Sequence, residues 1–140
     1  MTQGVEEAIA NLQTKSKSAG CADAPNYAIS AMGPSPFSLA FEGSGDTELI
    51  SAGFAKDFPT LIVQHHVSAN ILPKDIEKAA ALRDTFLKAL RDDPTLGGSV
   101  DTIVTIRRKF GEMAFGTGTS AFKTVGYQYE IKVKIALDQT

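Results

Sequence analysis

The chain has 140 residues, 43% of them hydrophobic and 21% charged, with a formal net charge of −2. That length suits one domain able to bury roughly two-thirds of its unfolded surface, and the composition excludes disorder of the whole chain. The even mixture of acids and bases argues against a surface built to grip nucleic acid or anionic lipid. The lone cysteine, Cys21, excludes an intrachain disulfide and fits a reducing compartment.

No apolar run approaches the roughly 18 residues of a membrane span. The N-terminal stretch carries Glu6 and Glu7 where a signal peptide would carry lysines and an apolar segment. The expectation is a soluble protein made in the cytoplasm, with no membrane contact. Low aromatic content and the absence of tryptophan weigh against a stacking surface for bases or sugars.

The first predicted element is a helix over 4–18, with Val5, Ala8, Ile9 and Leu12 at helical spacing and two acids in its first turn. Gly20 marks its stop. From Cys21 to Ser38, Pro25, Gly33, Pro34 and Pro36 among small residues predict an extended connection. Phe37, Leu39 and Phe41 then alternate as a short strand, and Glu42-Gly43-Ser44-Gly45-Asp46 reads as a turn or flexible tip. A second strand is expected over 58–69, with Leu61, Val63 and Val67 on one side and Ile62 on the other.

The clearest helix is predicted over 73–91. Pro73 suits a first helical position, where its missing N–H costs nothing. Ile76, Ala79, Ala80, Leu82, Phe86, Leu87 and Leu90 fall within an arc of about 160°. Arg83 interrupts that arc. Asp93-Pro94 ends the helix and Thr95-Leu96-Gly97-Gly98 reverses the chain. A β-branched run predicts a strand over 100–110. Strict alternation of Val125, Tyr127, Tyr129, Ile131, Val133, Ile135 and Leu137 with polar neighbours predicts another. Between them, 111–120 is too long and glycine-rich for a tight hairpin and reads as a loop. The fold class is therefore α+β: a single domain over 1–140, with an antiparallel or mixed sheet of four or more strands and two main helices packed on one face.

The sequence offers little for catalysis. His65 and His66 are neighbours in a strand, so they point to opposite faces and cannot chelate one ion together. One half-buried histidine and one surface histidine are expected. Gly116-Thr117-Gly118-Thr119-Ser120 lacks the Gly-Lys-Ser/Thr that a phosphate loop needs at a helix start. Cys21 has no basic residue near it in sequence, and no Gly-x-Ser-x-Gly elbow occurs. No enzyme, metal site or cofactor is expected. The basic run Arg107-Arg108-Lys109 alternates across a strand. A guanidinium on a packed side must be paired or must exit at an edge. Two readings stand: a strand end wet on both faces, or arginines that meet acids on a neighbouring subunit. Arg83 poses the same choice, between snorkelling from an apolar stripe and bridging to a partner's carboxylate.

The segment from Ile76 to Ile135 carries a resemblance. An amphipathic helix, then Asp92-Asp93-Pro94-Thr95-Leu96-Gly97-Gly98-Ser99-Val100, then paired strands ending in Tyr127-Gln128-Tyr129-Glu130-Ile131-Lys132-Val133, is similar to the tail terminator and tail completion proteins of long-tailed phages, the family of phage lambda's minor tail protein U. The strand at Phe58-Pro59-Thr60-Leu61-Ile62-Val63 and the N-terminal helix also fit. The resemblance implies a virion protein of the tail or neck that assembles as a homohexameric ring on the last ring of tail tube protein. Such a ring stops tube growth and presents a surface to the head–tail connector, with DNA passing through the lumen without specific binding. It brings no catalytic motif. The candidate interface residues are Arg83, Arg107, Arg108, Met113 and Phe115, the last two as apolar anchors for a neighbouring ring. The competing readings are a head–tail adaptor or other neck protein, and a cytosolic small-ligand binding domain.

Overall fold

Six elements build the chain in a computed structural model, which describes residues 4–26, 36–51, 54–68, 72–115 and 122–138. They are α1 (Val5–Ala19), β1 (Phe37–Ser51), β2 (Phe54–Ser68), α2 (Leu72–Asp92), β3 (Thr102–Phe115) and β4 (Phe122–Asp138). All strand pairs are antiparallel and the sheet order is β1-β2-β4-β3. α1 lies over β1 and β2, α2 lies over β2 and β4, and the helices touch each other. The result is one α+β domain with a single helical layer.

The alternation in β4 explains where the core sits. Val125, Tyr129, Ile131, Val133 and Ile135 are buried beneath the helices, in register with Val67, Val63, Leu61 and Asp57 of β2 along most of that row. Phe86 and Leu90 of α2, Ala8 and Leu12 of α1, and Leu96 and Val100 of the following corner close over them. Each fully buried side chain of this size stabilises by about 1.5–3 kcal/mol relative to exposure. The arc of α2 is buried at Ala79, Leu82, Phe86 and Leu90, while Ile76, near the start of α2, stays exposed.

The corner after α2 gives the Asp93–Val100 motif its physical role. The Asp93 carboxylate accepts from Lys15 Nζ at 2.8 Å, the Gly97 N–H at 2.9 Å and the Thr95 hydroxyl at 3.3 Å. These bonds hold the Asp93 carboxyl below the usual carboxylate range, with Lys15 the largest cause. Leu96 has a positive φ of 49°, and its side chain is buried in the core. Gly97, at φ 69°, faces Asn11 of α1 so closely that a Cβ would sit 2.8 Å from its Nδ2. The corner thus ties both helices to the start of β3.

The strands are longer than expected. Glu42–Asp46 is no turn: β1 runs through it, with one extra residue bulged between Glu42 and Gly45. The cause lies on the partner strand. Pro59 has no N–H to give the ladder, and a central strand carries a proline only where pairing is interrupted. A Cβ on Gly45 would come within 2.9 Å of Pro59 Cα, so the bulge needs glycine there. Similarly, β3 continues through Gly111–Phe115, which the sequence suggested as loop. The glycine-rich 116–121 lies outside the described residues, as does 27–35 of the first connection. Ala22 and Asp23 of that connection bond to Pro36 and Ser38 and pair with the start of β1. Phe37, Leu39 and Phe41 do share a face, but it is the one turned away from the helices. Ser38 and Ala40 face α1 instead.

Gly126 is the tightest point of the sheet, since a Cβ there would lie 2.0 Å from the His65 carbonyl oxygen. Gly126→Ala is expected to cost at least about 3 kcal/mol in urea denaturation. Gly111→Ala, whose Cβ would meet nothing within 4 Å, is expected to be neutral or slightly stabilising.

Candidate interaction surface

Because the helices cover one face of the sheet, its outer face and its two edge strands remain to act on other molecules. On β2 and β4 the outer face is a hydrogen-bonded polar row. His66 Nε2 lies 3.0 Å from Gln64 Oε1, and Gln64 Nε2 donates to Gln128 Oε1 at 2.8 Å. An amide oxygen only accepts, so Nε2 carries the imidazole proton. Nδ1 then accepts from the Thr124 hydroxyl at 2.7 Å. Next to this row, Arg107, Lys109, Gln128, Glu130 and Lys132 line shallow, open grooves that reach β3.

His65 points the other way, as strand alternation requires. Its ring sits between Phe86 (4.6 Å) and Tyr129 (5.2 Å), and Nε2 lies 2.9 Å from Ser16 Oγ. Ser16 and Ser38 Oγ are 3.2 Å apart, and Ser38 donates to Gln13 Oε1 at 2.7 Å. The Gln13 amide donates to the carbonyls of Ser38 and Pro25. This chain fastens α1 to β1 and β2.

Both histidines are therefore fully buried, which corrects the expected half-buried and surface pair. The outer-face histidine is enclosed because its neighbours satisfy both ring nitrogens. Burial pushes His65 down to about 3, helped by the adjacent His66, and pushes His66 down to about 4. Burial also pushes the Cys21 thiol up to about 12, so it carries no reactive thiolate. Among the described residues no group of three or more potential ligands is placed to hold a metal ion.

The residues singled out in the sequence divide between two sides of the sheet. Arg83, on α2, bonds its neighbour Asp84 through Nε at 2.9 Å and donates through a terminal nitrogen to Tyr127 Oη at 2.9 Å. Its guanidinium also lies 5.3 Å from the Tyr127 ring centroid. An arginine inside the apolar arc is thus held by its own chain, with Asp84 the main cause of its raised pKa. Tyr127 packs in turn against Phe110 of β3 at 5.0 Å. Arg108 shares the helix side of β3 with Phe110, whereas Arg107, Lys109 and Met113 lie on the outer face. Arg107, Arg108 and Lys109 are exposed, and none of them enters an ion pair among the described residues. Met113 is half-buried, with Cε 3.4 Å from where a Cβ on Gly126 would stand. Phe115 pairs with Phe122 in register.

The sequence reading missed Tyr127 as the residue that engages Arg83, because a tyrosine in an alternating strand signals only core. It also missed the acids of β1. Phe37–Ser51 carries Glu42, Asp46 and Glu48 and no base, a bias that the glycines at 43 and 45 disguise as a turn.

No protein-family model matches the chain, and no curated protein matches it. The described residues contain no helix long and apolar enough to cross a membrane.

The buried histidines set a pH dependence. The unfolded chain binds protons near pH 6.5, whereas the native state resists them until about pH 4 or below. Stability is therefore full above pH 7 and falls as pH drops through 6.5 toward 4. Unfolding free energy is expected to fall by about 2 kcal/mol per histidine between pH 7 and pH 5. Asp92 and Asp93, whose pKa values are lowered, lose their contribution only at more acid pH. Urea titrations at pH 7, 6 and 5 check this, and His66→Gln should flatten the slope by about half.

Proposed function

We propose that this chain is a structural subunit of a phage particle that closes the growing end of a tail tube as a ring of identical copies. In this reading the ring, a hexamer by resemblance, rests on tail tube protein, stops elongation and offers the head–tail connector a joining surface. DNA passes through its lumen without specific binding. The protein then belongs to the tail or neck of the virion and performs no catalysis.

The observation that carries the reading is the distribution of side chains. The histidines and the cysteine are consumed by packing, while exposed large apolar side chains gather on the sheet edges. Leu49 is on β1, and Val104 and Phe110 are on β3; of the exposed large hydrophobics among the described residues, only Ile76 lies elsewhere. Apolar groups left on strand edges suit a subunit completed by neighbours better than a self-contained binding pocket. The element order places the Asp93–Val100 corner, on which the family resemblance rests, between α2 and β3. Met113 and Phe115, at the C-terminal end of β3, are proposed as anchors for the adjoining ring.

Electron microscopy of the purified protein over a concentration series, with and without tail tubes, tests the proposal. Sixfold rings, or caps at one end of the tubes, are the expected result. Twelvefold rings that bind only the portal would point to a head–tail adaptor. A monomer indifferent to tubes would contradict both readings. Met113→Ser with Phe115→Ser is expected to fold normally and fail to cap tubes; capping at the wild-type level would remove the anchor role.

A further inference from the structure

The two edges of this sheet carry opposite charge. Among the described residues, the outer side of β1 faces no other strand from Leu39 onward, since Asp23 pairs only with its beginning. That stretch exposes Glu42, Asp46 and Glu48 and holds no base. β3, the opposite edge, exposes Arg107, Arg108 and Lys109 in succession, with Glu112 as its one acid. The acids at 46 and 48 and the bases at 107 and 109 also lie on the same face. Asp46 pairs with Phe58 and Glu48 with Lys56, in the outer-face row of β2, and Arg107 and Lys109 pair with Glu130 and Gln128 in that of β4.

We propose that the acidic β1 edge of one copy docks against the basic β3 edge of the next, antiparallel, with Asp46 opposite Lys109 and Glu48 opposite Arg107. The direction follows from topology. Each strand in the sheet runs opposite to its neighbour, so a second copy continuing the sheet with its helices on the same side presents β1 antiparallel to β3. The same register brings Leu49, 85% exposed, beside Ile106 on the helix side, and so covers apolar surface that the isolated chain leaves in water. Lysine and arginine on an edge strand ordinarily block pairing with other chains. Here they block β3 against β3, as the acids block β1 against β1, and leave the mixed contact as the favourable one. A contact between two different patches is head-to-tail and closes a ring where its rotation permits. The inference deepens the ring reading and rests on it for closure.

Charge exchange tests it with the full chain. Arg107→Glu with Lys109→Glu makes both edges acidic, and Asp46→Lys with Glu48→Lys makes both basic. All four side chains are exposed, so each variant should keep the wild-type circular dichroism, with the denaturation midpoint only slightly lowered because Arg107→Glu faces Glu130 and Glu48→Lys faces Lys56. By analytical ultracentrifugation at low salt, each variant alone should show self-association weakened at least tenfold. An equimolar mixture of the two, or one chain carrying all four substitutions, should recover the wild-type assembly. Variants that assemble as well alone as the wild type would overturn the edge contact while leaving the ring reading standing. Loss of assembly without recovery in the mixture would also overturn it. A wild-type chain that stays monomeric in solution and on tail tubes would overturn both.

Discussion

The contact among Phe86 of α2, His65 of β2 and Tyr129 of β4 is what the rest of the molecule depends on. The three rings lie 4.6–5.2 Å apart, and each is fully buried. His65 must stay neutral to remain there, and Ser16 of α1 holds its Nε2. One imidazole therefore couples both helices to the two central strands. Once that cluster forms, the helical layer can lie on only one side of the sheet. The outer face and the edges of the sheet are left open to other molecules.

Much of this architecture is legible from local pattern. The alternation in β4 and the apolar arc of α2 each report a buried face directly, because their periods match the geometry of the element. What pattern cannot report is a cause in another segment. Glycines 43 and 45 look like a turn, yet Gly45 relieves a crowded backbone opposite Pro59, fourteen residues further on, and Gly43 makes room for the Ile62 side chain. His66 looks like a surface residue of an alternating strand, yet Gln64 and Thr124 enclose it. Arg83 looks like a defect in an apolar stripe until Tyr127 is placed beneath it.

The candidate surface was half legible for the same reason. Arg107, Arg108 and Lys109 declare themselves as a basic run in a strand. Their counterparts are separated by the sheet order rather than by sequence, and only the topology shows that the acids of β1 occupy the opposite edge. The family resemblance named a ring without saying which surfaces join its members. For the ring proposed here, the distribution of charge and of exposed apolar side chains offers two complementary edges on one chain.

Amide hydrogen exchange of the wild-type chain, compared between dilute and concentrated solution, tests most directly whether function resides in these edges. If it does, the amides of 44–49 in β1 and 104–110 in β3 should become protected together as concentration rises, with little change across α1 and α2. Protection confined to the helices, or assembly with both edges still exchanging freely, would contradict it.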